Sequence, residues 1–169
     1  MGLPRKLKNM NSWGDGNSWL GEVAEITLPK LGRKFEGYRG AGMDGEVQID
    51  MGQENLEMEI KSGGFLKQAY NSFGLTTIDA MQIRFAGAYQ ADDVNGVNSV
   101  EVVVRGRYQE IDGGTSKPGD PTEQTDKFAC CYYRLTIDGR DIIEIDIMNL
   151  ICKVNGVDRL AAQRAAIGL

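Results

Sequence analysis

The segment Glu54 to Lys61 reads Glu-Asn-Leu-Glu-Met-Glu-Ile-Lys. In an extended strand Leu56, Met58 and Ile60 fall on one face, and Glu57, Glu59 and Lys61 fall on the other. A strand sorted this way belongs to an antiparallel sheet that covers a core on one side and meets water on the other. The chain contains no histidine and no recognisable catalytic cluster. These features point away from chemistry and towards a protein whose wetted sheet surface is itself the working part.

The same alternation recurs along the chain. Ala24, Ile26 and Leu28 alternate with Glu25 and Thr27. Val47, Ile49 and Met51 alternate with Gln48 and Asp50. Met81, Ile83 and Phe85 alternate with Gln82 and Arg84, and Val100, Val102 and Val104 with Glu101, Val103 and Arg105. Ile143, Ile145 and Ile147 alternate with Glu144 and Asp146. Phe128 to Ile137 is apolar and aromatic on both faces, which predicts a central strand. Six Asp-Gly or Asn-Gly pairs, at Asp15, Asp44, Asn95, Asp112, Asp138 and Asn155, mark turns that match the twist of hairpins. Asn11-Ser-Trp13 and Asn17-Ser-Trp19 flank the first of these and predict a tight N-terminal hairpin. Two short helices interrupt the strands. Leu66, Ala69, Tyr70 and Phe73 lie at helical spacing before Gly74, a stripe expected to pack on Phe128–Ile137. Asp158 is placed to cap a C-terminal helix over Arg159 to Ile167, ended by Gly168.

At 169 residues the chain is long enough to bury a core as one domain without disulfides or metals. The 22 glycines sit at turn-like positions, as in an all-β protein. A net charge of −5 argues against general attraction to nucleic-acid phosphates. Cys130, Cys131 and Cys152 have neither disulfide nor zinc spacing and read as buried free thiols. Asn9 to Asn17 supplies no apolar signal core and no apolar run reaches membrane-spanning length, so neither export nor bilayer insertion is expected.

Two segments resist assignment to a sheet. Pro29 to Gly45 holds five glycines with Lys30, Arg33, Lys34 and Arg39, and reads as an extended arm whose cations can pair with carboxylates of a neighbouring subunit. Asp112 to Lys127 contains Pro118 and Pro121 and reads as an exposed loop. Glu57 with Glu59, and Glu144 with Asp146, have the spacing of solvent-facing strand positions rather than of an acid pair built for hydrolysis. Tyr132-Tyr133 within an apolar strand reads as core. No nucleotide loop or calcium loop is present, and no cofactor is implied.

Several strings, in this order, resemble the FII-type major tail tube family of contractile-tailed phages, which also forms the inner tube of R-type pyocins. They are Leu28-Pro-Lys-Leu31, Tyr38-Arg39 with Gly42-Met-Asp44, Ile49-Asp-Met-Gly52, Phe73-Gly-Leu75, Tyr132-Tyr133, Asp138-Gly-Arg140, Glu144-Ile-Asp146, Asn155-Gly-Val-Asp158 and Ile167-Gly-Leu169. The Trp13 and Trp19 hairpin and the Cys130-Cys131 pair are not features associated with that family. The resemblance runs over essentially the whole chain. It implies a mainly β fold of two packed antiparallel sheets, a sandwich or partly closed barrel, with a flanking helix and a short C-terminal helix. It implies homohexameric rings stacked into a tube, inside a sheath, around a tape-measure protein and started on a baseplate. Such a tube is a virion part assembled in the host cytoplasm. DNA or ions pass through it without specific binding. On this reading Gln48, Asp50, Glu57, Glu59, Lys61, Gln82, Arg84, Glu101 and Arg105 are candidates for the channel lining. Lys30, Arg33, Lys34, Tyr38, Arg39, Met43 and Asp44 are candidates for the inter-subunit arm. A secretion-system tube protein of the same fold, or a small β-sandwich binding module, are the alternatives.

Overall fold

A computed structural model describes residues 1–169. The strands are β1 (Lys6–Gly14), β2 (Asn17–Ser18), β3 (Val23–Thr27), β4 (Arg33–Tyr38), β5 (Val47–Gln53) and β6 (Leu56–Ser62). After helix α1 (Lys67–Asn71) come β7 (Met81–Gln90), β8 (Asn98–Asp112), β9 (Gln124–Ile137), β10 (Arg140–Asp146), β11 (Ile151–Val154) and β12 (Val157–Asp158), then helix α2 (Ala161–Ala166). All strand pairs are antiparallel. Strands β4 and β5 pair only with each other, and the remaining ten form one branched sheet.

The branch lies on β9. Along one edge β9 pairs with β8 from Val100↔Ile137 to Asp112↔Thr125. Its other edge is divided: Gln124–Cys130 pairs with β6, and Tyr132–Ile137 pairs with β10. The division falls at a β-bulge, where Arg105 faces Tyr132 and Gly106 faces Cys130, leaving Cys131 as the extra residue. Only glycine fits opposite it, since a Cβ on Gly106 would lie 1.9 Å from the Ala129 carbonyl oxygen. Side chains alternate with period two, so one inserted residue changes which positions face the core. Phe128 is buried before the bulge and Tyr133 after it. Cys131 and Tyr132 form a separate small cluster with Val103. Residues 128–137 therefore carry apolar side chains of both parities.

The two halves of the sheet close on one core. Leu56, Met58 and Ile60 of β6, Met81, Ile83 and Phe85 of β7, and Val102, Val104, Phe128, Tyr133 and Ile145 belong to a single buried cluster. Tyr108 meets Phe128 edge to face, with ring centroids 5.4 Å apart. The fold is thus mainly β, with two antiparallel layers that share β8 and β9.

Three of the six predicted turns join adjacent strands tightly. Asp15-Gly16, Asp138-Gly139 and Asn155-Gly156 each place both residues at positive φ, as the twist-matched two-residue hairpin turn requires. In the N-terminal hairpin the Trp19 ring lies against Gly14, where a Cβ would come within 2.1 Å of it. Trp19 Nε1 donates to Gln68 Oε1 at 2.7 Å, and Gln68 Nε2 donates to the Gly14 carbonyl at 2.7 Å. This bridge fastens α1 to the hairpin.

Several expectations are corrected. Val47, Ile49 and Met51 are exposed rather than half-buried, because β5 pairs with β4 and not with the main sheet. The arm is not an irregular loop over 29–45 but part of an ordered hairpin spanning 33–53. The loop after β8 ends before Gln124, since β9 starts there and Gln124 and Asp126 are buried. The stripe on α1 buries Leu66 and Ala69, but Phe73 is 60% exposed. The helix stops at Asn71, so Phe73 lies beyond its last turn and off the packed face. Asp158 does not cap α2 as its N-cap residue. It accepts the Leu160 amide at 3.1 Å and pairs with Arg164.

This packing separates two phenylalanines of similar appearance in the sequence. Phe128→Ala should destabilise the isolated subunit by about 3–5 kcal/mol. Phe73→Ala should change it by less than about 0.5 kcal/mol. Urea midpoints of the two variants under non-assembling conditions check this difference.

Candidate functional site

The β4–β5 hairpin is exposed along almost its whole length. Phe35 and Tyr38 are each 55% exposed, and Leu31, Val47, Ile49 and Met51 are also open to solvent. Tyr38 lies opposite Val47 and shares a face with Ile49, whereas Phe35 lies opposite Asp50 on the other face. An isolated two-stranded hairpin is marginally stable in water, and exposed apolar side chains grouped on its faces mark a contact surface. Local bonds hold its shape. Arg33 Nε donates to Asp50 Oδ2 at 2.9 Å, and the Gly52 amide donates to Asp50 Oδ1 at 2.9 Å. These two donors hold the Asp50 carboxyl below its ordinary pKa. At the base Gln53 Nε2 and the Glu54 amide both donate to the Gly32 carbonyl, at 2.9 Å and 3.1 Å. At the tip Arg39 Nε donates to the Met43 carbonyl at 3.2 Å. Arg33 and Arg39 are therefore engaged within the hairpin, whereas Lys30, Lys34 and Asp44 have no ion-pair partner. A groove lined by Met51, Ile147, Leu150, Ile151 and Leu160 runs between the hairpin base and the β10–β11–α2 corner.

The polar candidates fall into three places. Gln48 and Asp50 lie on the hairpin, apart from the main sheet. Glu57, Glu59 and Lys61 lie on the outward face of β6, beside Glu25 of β3 and Lys127 of β9. Lys61 Nζ is 3.8 Å from Glu25, and Lys127 Nζ is 3.9 Å from Glu110. Gln82, Arg84, Glu101 and Arg105 lie on the outward face of β7 and β8. There Arg84 pairs with Glu101 at 2.9 Å and covers the Trp13 ring at 4.5 Å, and Arg105 covers the Tyr132 ring at 3.9 Å. Both layers turn their apolar sides to one core, so these two polar faces point away from each other.

Trp13, Glu25, Glu110 and Lys127 complete these faces, although the sequence offers Trp13 only as part of a hairpin, Glu25 only as an alternating polar position, and Glu110 and Lys127 not as candidates. Strand register, which sequence periodicity does not give, brings them there. The remaining carboxylate pair has structural partners. Glu144 Oε2 accepts the Tyr132 hydroxyl at 3.0 Å, and Asp146 accepts the Asn149 amide and side chain at 3.2 Å and 2.7 Å. No group of three or more potential metal ligands is assembled.

Residues 4–168 match the family described as phage tail tube protein FII. The chain is 49% identical over 172 residues to the tail tube protein of Escherichia phage P2, spanning 100% of both chains. It is 36% identical over 159 residues to the major tail tube protein of Serratia phage KSP20, spanning 92% of this chain and 91% of that one. In fold it is similar to a chain of the PVC extracellular contractile injection system, from its sheath–tube complex in the extended state. That likeness has a TM-score of 0.58 at 10% identity, over 79% of this chain and 90% of the other. The tube-terminating cap of the anti-feeding prophage gives a TM-score of 0.58 at 11% identity, over 81% and 92% of the two chains.

The hairpin's apolar side chains contribute nothing to the subunit core, so charging one of them should leave the fold intact. Ile49→Asp is expected to shift the unfolding free energy of the unassembled subunit by less than about 0.5 kcal/mol. Urea unfolding followed by tryptophan fluorescence reads this directly.

Proposed function

The chain belongs to the phage tail tube protein FII family, and from that premise we propose that its copies form hexameric rings that stack into the inner tube of a contractile tail. The relatives are structural tail tube proteins, not enzymes. The tube belongs to a phage virion or a phage-tail-like bacteriocin and carries DNA or ions through the cell envelope. Assembled in the host cytoplasm, it starts on a baseplate, encloses the tape-measure protein and is wrapped by the sheath protein.

The observation that carries this reading is the exposed β4–β5 hairpin. Its apolar side chains and its marginal independent stability both call for cover from a second copy, and the free cations Lys30 and Lys34 add a means of pairing with a neighbour's carboxylates. Arg39, Met43 and Asp44 shape the tip of this arm, and Tyr38 lies on its apolar surface.

Sheet edges support ring closure. The layer β3–β6–β9–β8 has two open edges: β3 pairs only with β6, and β7 stops pairing with β8 at Gly106, leaving Arg107–Asp112 free on that side. Joining these two edges head to tail around a ring removes both and makes one continuous barrel. The charged outward face of that layer, with Glu57, Glu59 and Lys61, then lines the channel. Gln82, Arg84, Glu101 and Arg105 fall on the opposite face, towards the outside of the tube, and Gln48 and Asp50 go with the arm.

Negative-stain microscopy tests the arm. Wild-type chains should form rings or filaments, and a Phe35→Asp, Ile49→Asp double variant should remain as folded single subunits. Normal-length tubes from the double variant would refute the assignment. The channel face is tested separately by maleimide labelling of cysteine variants in intact tubes. Glu59→Cys should be shielded from a bulky reagent, while Ser116→Cys in the loop after β8 should label freely. Equal labelling rates would remove the β6 face from the channel.

A further inference from the structure

Beneath α1 the inward side of the sheet changes from apolar to polar. Gln124 and Asp126 are fully buried on β9. Asp126 faces Ile60 of β6 and Ile111 of β8, and Gln124 faces Ser62 of β6. No cation pairs with Asp126. Its protein donor is Gln124 Nε2, which lies 2.9 Å from each carboxylate oxygen. The other end of the same amide, Gln124 Oε1, accepts the backbone N–H of Leu66 at 3.2 Å, immediately before α1. Two further polar groups of this region, Ser62 Oγ and the Tyr108 hydroxyl, are buried without a hydrogen-bond partner.

A buried carboxylate without a cation is unusual, because burial penalises its charge. Its position accounts for the amide's orientation. A carboxyl group keeps an accepting oxygen whether or not it is protonated, so Asp126 takes the NH2 end of Gln124 in both states, and that leaves the carbonyl end for the Leu66 N–H. Turning the amide round would set donor against donor at Leu66. We propose that Asp126 is a proton-linked latch for the corner beneath α1: it orients Gln124, Gln124 holds the start of α1 to the sheet, and protonation of Asp126 sets the stability of that corner. The latch belongs to the single subunit and does not depend on assembly.

Burial pushes the Asp126 carboxyl up to about 6, opposed by the bond from Gln124. Tyr108 is the titratable group facing it from β8. Burial, then the charges of Asp126 and of Asp15 in the β1–β2 turn, raise its hydroxyl well above the usual range, so it stays neutral. From β6 the neighbours are Ile60 and Ser62, and from the start of α1 Leu66, none of which ionises. The folded chain thus holds the Asp126 proton more tightly than the unfolded chain. This contribution to stability is full below the ordinary carboxylate value of 3.8 and is lost as pH rises through about 6. Asp50, Asp138 and Asp158 are shifted downwards, so their stabilising contributions are lost only at lower pH, outside this window.

Urea unfolding of the full-length chain tests the latch. The folding constant should be roughly tenfold higher at about pH 5 than at about pH 7.5, and Asp126→Asn should abolish that difference. A wild-type chain with no such difference, or an Asp126→Asn chain that keeps it, would overturn the proposal. Carbon-13 NMR of the wild-type side-chain carboxyl gives a reading that needs no variant: a midpoint near 6 is expected, and one near 4 overturns it. The tether is read by hydrogen exchange, where Gln124→Leu should speed exchange of the Leu66 amide. Unchanged exchange would remove Gln124 from the latch.

Discussion

Strands β8 and β9 share twelve paired positions, and the extra residue Cys131 lets this one ladder serve two layers. Without a bulge, β9 would present the same parity of side chains to the core from end to end, and one partner could occupy its whole free edge. With the bulge, the strand changes parity and direction at Cys131. Its first half supports β6 and its second half supports β10. Phe128 and Tyr133, five residues apart and of opposite parity, then enter the same core. The close approach of the Ala129 carbonyl to Gly106 shows how tightly the crossing is packed, with no room for a side chain.

The core and the exposed apolar hairpin are built from different elements. The core gathers β6, β7, β8, β9 and β10, with Trp19 and the buried side of α1 added through Gln68. Strands β4 and β5 add no residue to it. Burying a large apolar side chain contributes about 1.5–3 kcal/mol, so the side chains of the hairpin hold a comparable reserve that the lone subunit does not use. A reserve of that kind is realised only when another surface covers it, as the proposed contact between copies would do.

Much of the fold was legible because period-two alternation reports directly on a half-buried strand. The segments at β6, β7 and β8 fell where the pattern put them, and Asp15-Gly16, Asp138-Gly139 and Asn155-Gly156 turned as their chemistry requires. The failures share a cause. Val47, Ile49 and Met51 alternate as cleanly as Leu56, Met58 and Ile60, yet the first set is exposed and the second buried. Periodicity says that one face is apolar. It does not say whether the cover comes from the same chain or from another. Phe73 misled in the same way, since helical spacing does not reveal that the helix ends two residues earlier. Gln124 and Asp126 were hidden because polar residues after two prolines look like loop, and only register shows them facing inward. The polar candidates lie on three separate faces, and alternation finds such faces without saying which of them adjoin.

A subunit of the proposed tube carries an apolar hairpin and open sheet edges, and has to avoid indiscriminate pairing before it joins other copies. The chain's net charge of −5 helps through mutual repulsion. The hairpin adds a local device. The Arg33–Asp50 pair and the bonds from Gln53 and Glu54 to Gly32 fix strand pairing at its base, so the backbone groups between its two strands are satisfied while the outer edge of each strand stays unpaired. Its exposed side-chain surface needs a complementary shape and is more selective than an unpaired backbone edge. The open edges of β3 and of Arg107–Asp112 offer backbone too. They are short, so they offer few backbone groups to a strand that approaches at random. In the proposed ring, head-to-tail joining of these edges calls for the chains to be oriented first. Side-chain docking of the hairpin is suited to that step, with backbone pairing completing what it has aligned.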